Sequence, residues 1–528
     1  MKVLVAEQLA PEGLEILRAH HQVDTLVGAP RDELLAAVPA YDALVVRSQV
    51  QADAELIAAA SRLVVIGRAG VGVDNVDLEA ATRAGITVVN APTGNTIAAA
   101  EHTLALLYAL ARRLVEGDAA LRRGEWKSRS KLVGVELRGK TLGIVGLGKI
   151  GQAIADRARA MEMTILGSDP FVTAEQAALH GIELVDFTEL LPRVDVLTVH
   201  VPLTRTTRGL VGAPEIARMR RGALVLNVAR GGVYDEAAVA DALCSGQLGG
   251  AAFDVFESEP PTGSPLLSAP NTLLTPHLGA STAEAQVRVA AEAAEQVVDV
   301  LDGRPARYAV NAPLLTPETA QAIAPYIPLA ETLGRFFAQF ARGGTRTLTL
   351  EVGGELAAFD VTSLAAAALR GLLETTTTER VNLVNAAHLA KARGITLVER
   401  KTSDAGHYSA LLSLSGESDA GTTTVGGTIS EGNQRIVRLD DYQLDMAPTA
   451  AMLMTRHHDR PGTMGRIGQL LGAADVNISA MSLARSAPRA DAIMLVALDE
   501  DVPDDVVGRI RADEAVMDVW AIRLRDDR

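Results

Sequence analysis

The sequence predicts an α/β protein with two doubly wound parallel sheets, followed by an α+β segment and a small ferredoxin-like module. Three observations predict it. Short apolar, β-branched runs alternate with helical spacers through the first hundred residues. A second and more regular series of such runs opens at Leu142. Residues 451–528 follow a β-α-β-β-α-β order. At 528 residues the chain exceeds one hydrophobic core, and about 150 residues per domain gives three or four.

In the first series the runs are Val3–Ala6, Ala43–Val46, Leu63–Ile66 and Thr87–Val89, each bounded by Gly, Pro, Asp or Asn. Their spacers are long enough for crossover helices, which is the pattern of βαβ units. The second series, Leu142–Val145, Met163–Leu166, Val194–Val201, Leu224–Val228, Gly250–Val255 and Thr272–Leu274, makes a complete sheet of its own. The Ala/Leu-rich stretch Thr96–Gly117 connects the two series. Thr282–Leu301 forms a helix that returns to the first sheet, with Ser281 and Glu284 offering a capping box and Gly303 ending it. Composition shifts at Asn311-Ala312-Pro313. Beyond it, helices are expected over Ala357–Glu374 and Arg380–Arg393 and strands over Thr345–Val352 and Gly421–Ile429, with threonines 375–378 read as the start of a helix.

Composition excludes several functions. Apolar residues are 48% and charged residues 22%, the balance of a folded chain, while 3% aromatics leaves Ala, Val, Leu and Ile to build the cores. A net charge of −15 argues against nucleic-acid and anionic-membrane partners. The single cysteine, Cys244, excludes an intrachain disulfide framework and a thiolate zinc site, and fits a reducing, cytoplasmic location. The opening run meets Glu7 and Pro11, so no signal peptide is expected; even Ala98–Ala111 carries Glu101 and His102, so no membrane span is expected.

Gly146-Leu147-Gly148-Lys149-Ile150-Gly151 follows a strand and opens a helix. Gly146 permits the tight turn, Gly148 lets backbone approach a pyrophosphate, and Gly151 allows close helix–strand packing. The helix N-terminus offers free N–H groups to the phosphates. Asp169 ends the next strand where an acid would hold a ribose, which favours NAD over NADP by repelling a 2′-phosphate. Arg230, Glu259 and His277 sit at or just after strand ends of the same sheet, where ligands bind in such folds. Together they suit oxidation at a hydroxyl-bearing carbon. Histidine takes the hydroxyl proton, a paired carboxylate raises its pKa and sets its tautomer, and arginine clamps a carboxylate in a fork geometry.

Asn227–Gly232, Asp254–Pro260 and Thr275–Ser281, with the glycine turn and Asp169, closely resemble the NAD-dependent D-2-hydroxyacid dehydrogenases. The resemblance extends to Gly67–Asp77 and Asn90–Thr96 and spans roughly the first 310 residues. It implies His277 as acid/base, Glu259 as its partner and Arg230 as substrate anchor. It places Lys149 and Ile150 against the pyrophosphate and Asp254 near the nicotinamide, with Val228, Ala229 and Arg230 and with His277, Leu278, Gly279 and Ala280 completing the cofactor site. Lys149 stands where the family often has Arg or His, and Val71 where some relatives have Thr.

Residues 1–97, completed by 284–310, would then form a flavodoxin-like substrate-binding domain, and 98–283 a Rossmann NAD-binding domain. Arg47, Ser48 and Arg68 put cations and a hydroxyl at strand ends facing the cleft, suiting a doubly charged phosphate, and Gly70 and Asn95 complete the expected substrate site. At the C-terminus, His457-His458-Asp459-Arg460-Pro461-Gly462 and Val476-Asn477-Ile478 resemble an ACT domain, an amino-acid-sensing module. His457, Asp459 and Asn477 are its expected effector residues. Adjacent histidines on a strand point to opposite faces, so no metal site is expected. Residues 314–448 resemble an intervening allosteric domain, and 451–528 form the regulatory module. Within the family this arrangement implies 3-phosphoglycerate as substrate, L-serine as effector and a homotetramer. The alternatives are a hydroxypyruvate or glyoxylate reductase and a non-catalytic NADH sensor on the same fold.

Overall fold

The computed structural model describes residues 1–313, 316–418 and 421–524. The boundary expected at 314 and the end of the C-terminal module, 525–528, lie outside the described residues.

Five parallel strands form the first sheet in the order Gln22–Thr25, Lys2–Val5, Ala43–Val46, Val65–Arg68, Thr87–Asn90. This is the flavodoxin-like order. The three strands between the edges carry near-continuous apolar runs because helices cover both faces. One covering helix is Ala283–Leu301, whose Ala290, Ala293, Ala294 and Val297 pack on Val3, Val45, Val65 and Val89, so the chain does return to its first sheet. Its cap is not Ser281. Ser281 donates its N–H to the Leu278 carbonyl and belongs to the preceding turn, whereas the Thr282 hydroxyl accepts from Ala285 N at 3.1 Å.

The second sheet has seven parallel strands, in the order Thr272–Leu274, Leu248–Phe253, Ala223–Asn227, Val196–Val199, Thr141–Val145, Thr164–Ser168, Glu183–Leu184. The strand order reverses between Thr141–Val145 and Val196–Val199, which opens a crevice at their carboxyl ends. The helix Thr96–Ala111 lies on this sheet through Ala100, Leu104, Leu107 and Ala111.

The third sheet is mixed. Thr347–Gly354 pairs in parallel with Thr396–Thr402, and Ala410–Ser418, Gly421–Ser430, Asn433–Leu439 and Tyr442–Met446 continue it antiparallel. Helices Tyr326–Phe340 and Thr362–Glu374 cover one face and approach closely at two glycines. A Cβ on Gly334 would lie 2.1 Å from the Ala368 carbonyl oxygen, and one on Gly371 2.0 Å from that of Glu331. The threonines after Glu374 end a helix and do not start one. The Thr375 and Thr376 hydroxyls donate to the Leu372 and Leu373 carbonyls, satisfying acceptors that the last turn leaves open. Only two polar bonds of this region reach the first sheet, from Arg380 Nη1 to the Leu63 carbonyl at 3.1 Å and from Asn382 Nδ2 to that of Gly85 at 2.6 Å, among the described residues.

The C-terminal sheet runs Ile478–Arg485, Asp491–Leu498, Ala451–His458, Val516–Arg523, the ferredoxin-like arrangement. Helices Thr463–Ala473 and Asp504–Arg511 pack on one face, against Leu453, Met494, Val496 and Val519. The alternate residues Met452, Met454, Ile493, Leu495 and Ile522 join the core of the third sheet. That double burial is why Ala492–Leu498 is uninterruptedly apolar. No helix among the described residues is long and apolar enough to cross a membrane.

Candidate active site

The first strand of the second sheet runs straight into the glycine turn. Gly146 sits at φ 93°, a left-handed conformation that favours glycine, and a Cβ there would lie 2.5 Å from the His200 carbonyl oxygen. A Cβ on Gly151 would fall 2.2 Å from the Gly146 oxygen, while one on Gly148 would meet nothing within 4 Å. Packing therefore requires glycine at the first and last positions and leaves open space over the middle one. Helix Lys149–Ala160 begins here, and its first N–H groups have no intrahelical acceptor. Asp169 does more than end the next strand: its carboxylate accepts from Leu147 N and Phe171 N, both at 2.8 Å, and so fastens the turn. Lys149 Nζ stands 5.6 Å over the Tyr308 ring, across the cleft.

His277 occupies a left-handed conformation at φ 56°, which costs a non-glycine residue on the order of 1–3 kcal/mol. Asp254 holds it there. The Asp254 carbonyl accepts from His277 N at 2.9 Å, and its carboxylate accepts from Leu278 N at 2.7 Å, Gly279 N at 2.8 Å and the Thr275 hydroxyl at 2.6 Å. Burial pushes the Asp254 carboxyl up, but hydrogen bonds from His102, Thr275 and Leu278 hold it below the ordinary range. His277 Nδ1 lies 2.8 Å from Glu259 Oε2. That hydrogen bond raises the His277 pKa against the opposing effect of burial. Burial alone would raise Glu259, but the bond and charge of His277 bring it down.

Arg230 follows strand Ala223–Asn227, in a turn braced by Asn227 Nδ2 donating to the Arg230 carbonyl at 2.9 Å. Its Nε reaches 3.3 Å from Asp74 across the cleft. Gly72 leaves room for that approach, since a Cβ there would lie 2.3 Å from Arg230 Nη2 and would push the guanidinium aside. A cavity of about 250 Å³ brings Asn95, Ile150, Val228, Ala229, Arg230 and Asp254 together with His277, Gly279 and Ala280. Leu278, by contrast, is 40% exposed and joins through its backbone.

The first-sheet wall is less uniform. Arg68 is largely buried, and burial together with the neighbouring Arg230 lowers its pKa to about 10. Its side chain folds back over Gly70, at φ 155°, where a Cβ would lie 1.5 Å from Arg68 Nη1. Arg68 Nε and Asn95 Oδ1 are buried without a hydrogen-bond partner among the described residues. Arg47 lines a separate hollow of about 350 Å³ with Glu7 and Gln8, and Ser48 is exposed; neither reaches the first cavity.

In the C-terminal module His457 is buried beside the Thr455 hydroxyl, while His458 faces outward to Asp491. Asp459 accepts from Arg485 Nη1 and Arg489 N, and Asn477 donates to Asp499. No hydrogen bond joins His457, Asp459 and Asn477 to one another among the described residues.

Two histidines escape sequence reasoning. His102, on helix Thr96–Ala111, sits 3.2 Å from Asp254 Oδ1, and its only sequence signal is that it interrupts an apolar run. His200 follows strand Val196–Val199 with its ring nitrogens turned inward, and desolvation lowers its pKa to about 3; Nε2 meets Thr198 at 2.9 Å, and Nδ1 has no partner among the described residues. The residues present fit a dinucleotide: a glycine cradle with space over Gly148, free helix N–H groups, and unpartnered Asn95 and His200 atoms beside the same cavity.

The model of the NAD-binding domain of D-isomer specific 2-hydroxyacid dehydrogenases matches residues 104–279, that of the D-3-phosphoglycerate dehydrogenase intervening domain 322–440, and that of the ACT domain 451–515. The D-3-phosphoglycerate dehydrogenase of Synechocystis is 44% identical, over 99% of this chain and 95% of its own. That of Archaeoglobus fulgidus is 41% identical, over 99% and 100%. Among solved structures, the TT0316 protein of Thermus thermophilus is 40% identical with a TM-score of 0.55, covering 59% of this chain and 100% of its own. A glyoxylate reductase from Paecilomyes thermophila is 30% identical with a TM-score of 0.54, covering 59% and 98%. The chain belongs to the D-isomer specific 2-hydroxyacid dehydrogenases, in the D-3-phosphoglycerate dehydrogenase family, with an NAD-binding domain, an intervening domain and an ACT domain.

Proposed function

We propose that this protein oxidises 3-phospho-D-glycerate to 3-phosphooxypyruvate with NAD, the first step of L-serine biosynthesis. The observation that carries the reading is the 2.8 Å Glu259–His277 pair, whose His277 lines the same cavity as Arg230 and Asp254. With Nδ1 donating to Glu259, the His277 ring keeps Nε2 to accept the substrate hydroxyl proton. Glu259 stabilises the imidazolium that results, and Arg230 exchanges Asp74 for the substrate carboxylate. When bound, NAD supplies the two-electron acceptor. The chain's part is to seat it on Gly146, Gly148, Lys149, Ile150 and Gly151, to hold the ribose at Asp169, and to exclude water as the walls close. Asp169 favours NAD over NADP because its charge repels a 2′-phosphate.

Arg68 supports the phosphorylated substrate. Its guanidinium is largely buried near Arg230, Nε has no hydrogen-bond partner among the described residues, and burial outweighs the nearby Asp74 and Glu7 charges in lowering its pKa, so a phosphate dianion would supply the missing partner. The glyoxylate reductase likeness stops at 59% of this chain, and a reductase of that kind needs no C-terminal half. The proposed division is 1–97 with 284–310 for substrate, 98–283 for NAD, 314–448 intervening and 451–528 regulatory. L-serine is the proposed effector at His457, Asp459 and Asn477, in a cytoplasmic homotetramer. The test is NADH oxidation with 3-phosphooxypyruvate beside hydroxypyruvate. A strong preference for the phosphorylated acid is expected, and equal rates would reject this substrate while keeping the dehydrogenase.

A further inference from the structure

We propose that His102 is a positioning residue for the reaction, holding Asp254 and, through it, the turn that carries His277. The inference rests on the reading of His277 as the acid/base.

Asp254 is 1% exposed, so its carboxylate depends on protein donors. Its Oδ2 accepts from Gly279 N at 2.8 Å, and its Oδ1 accepts from Leu278 N at 2.7 Å and Thr275 Oγ1 at 2.6 Å. All three donors belong to the reactive turn itself. His102 Nε2, 3.2 Å from Asp254 Oδ1 and 3.3 Å from Thr275 Oγ1, is the donor that comes from elsewhere in the fold. Because a carboxylate only accepts, the hydrogen is on Nε2. The backbone of the turn is tied to its sheet, since Asp254 N donates to the Asn227 carbonyl at 2.9 Å and Thr275 N to that of Phe253 at 3.0 Å, but without His102 the carboxylate and the donors it gathers have no side-chain tie beyond the turn. With it, they are referenced to a helix packed on the sheet through Ala100, Leu104 and Leu107.

That helix is also the segment by which the chain leaves the first sheet for the second. It begins at Thr96, next to Asn95, which lines the same cavity and whose buried Oδ1 has no partner among the described residues. His102 therefore ties the proton-handling turn to the segment that joins the two sheets. Asp254 is also one of the charges that raise the His277 pKa, so a displaced Asp254 alters the position and the basicity of that ring together.

The test uses the full chain and two substitutions of opposite reach. Glutamine can place its amide near the histidine Nε2 position, whereas asparagine stops short of Asp254. H102N is expected to lower kcat about tenfold with the KM for 3-phosphooxypyruvate within about twofold of the parent, the loss of one charge-assisted hydrogen bond. H102Q is expected to recover most of the loss. In a D254N background, H102N is expected to cost nothing further, because its route to His277 is already broken. A parent-like kcat in H102N, equal losses in H102N and H102Q, or the same factor on top of D254N would each overturn the proposal. H277N is measured beside them. If H277N turns over normally, the acid/base reading itself fails; if H277N is inactive and H102N behaves as the parent, only the role of His102 is lost.

Discussion

On the second-sheet wall of the cleft the reactive turn is internally bonded: Asp254 takes donors from Thr275, Leu278, Gly279 and His102, and Glu259 takes His277. On the first-sheet wall Arg68 Nε and Asn95 Oδ1 are buried and unpartnered among the described residues, and Arg68 is held below its usual pKa by burial and neighbouring cations. The proton-handling half is thus pre-organised by the protein's own hydrogen bonds. The first-sheet half holds polar atoms without partners among the described residues, at an energetic cost that the proposed charged substrate would offset. On the proposed assignment the second-sheet wall carries the proton chemistry and the carboxylate anchor Arg230, and Arg68 of the first-sheet wall adds the specificity for a phosphate.

The largest effect that would break this division is at His277. H277A is expected to lower turnover about a thousandfold while NADH binding, followed by fluorescence, survives; lost NADH binding would show that the two roles are not separable. Next, R68Q is expected to lower kcat/KM for 3-phosphooxypyruvate by about a hundredfold but for hydroxypyruvate far less, and equal losses would deny Arg68 the phosphate. E259Q sharpens the other wall. The Glu259 hydrogen bond raises the His277 pKa, so removing its charge lowers that pKa. Oxidation needs neutral His277, and its acid limb in kcat/KM is expected to move to lower pH; the reverse reaction needs protonated His277, and its alkaline limb moves the same way. An unmoved profile would assign the limb to another group. The smallest effect is T282A, expected to cost about 1 kcal/mol of stability by urea titration with kcat unchanged, whereas S281A removes no cap.

How much of this was legible follows from chain distance. The glycine turn, Asp169, Arg230, Glu259 and His277 sit in short contiguous motifs at strand ends, where apolar runs locate the strands and topology points their carboxyl ends to the cleft. His102 meets Asp254 across 152 positions, and nothing local marks the pair. The strands Gln22–Thr25 and Glu183–Leu184 carry no such mark because edge strands are short and half-polar, so the apolar run that reveals an inner strand is absent. The separation of Arg47 from Arg68 is equally invisible to local pattern. Both end adjacent strands, but the loop Arg47–Val50 is turned aside by the buried Glu7 carboxylate, which accepts from Arg47 N, Gln49 N and Val50 N.

The C-terminal sheet shares its core with the six-stranded sheet before it. Phe340 stacks edge-on against Trp520, Gln339 exchanges two hydrogen bonds with the Arg523 backbone, and Arg342 pairs with Asp518. By contrast, the bonds from Arg380 and Asn382 to the first-sheet domain are two polar contacts among the described residues. Heat or denaturant should therefore melt residues 317–524 as one cooperative block, and a protease should release that block whole before it trims the regulatory module from it. Because the two sheets share one core, a ligand that displaced the C-terminal sheet would have to displace the six-stranded sheet with it.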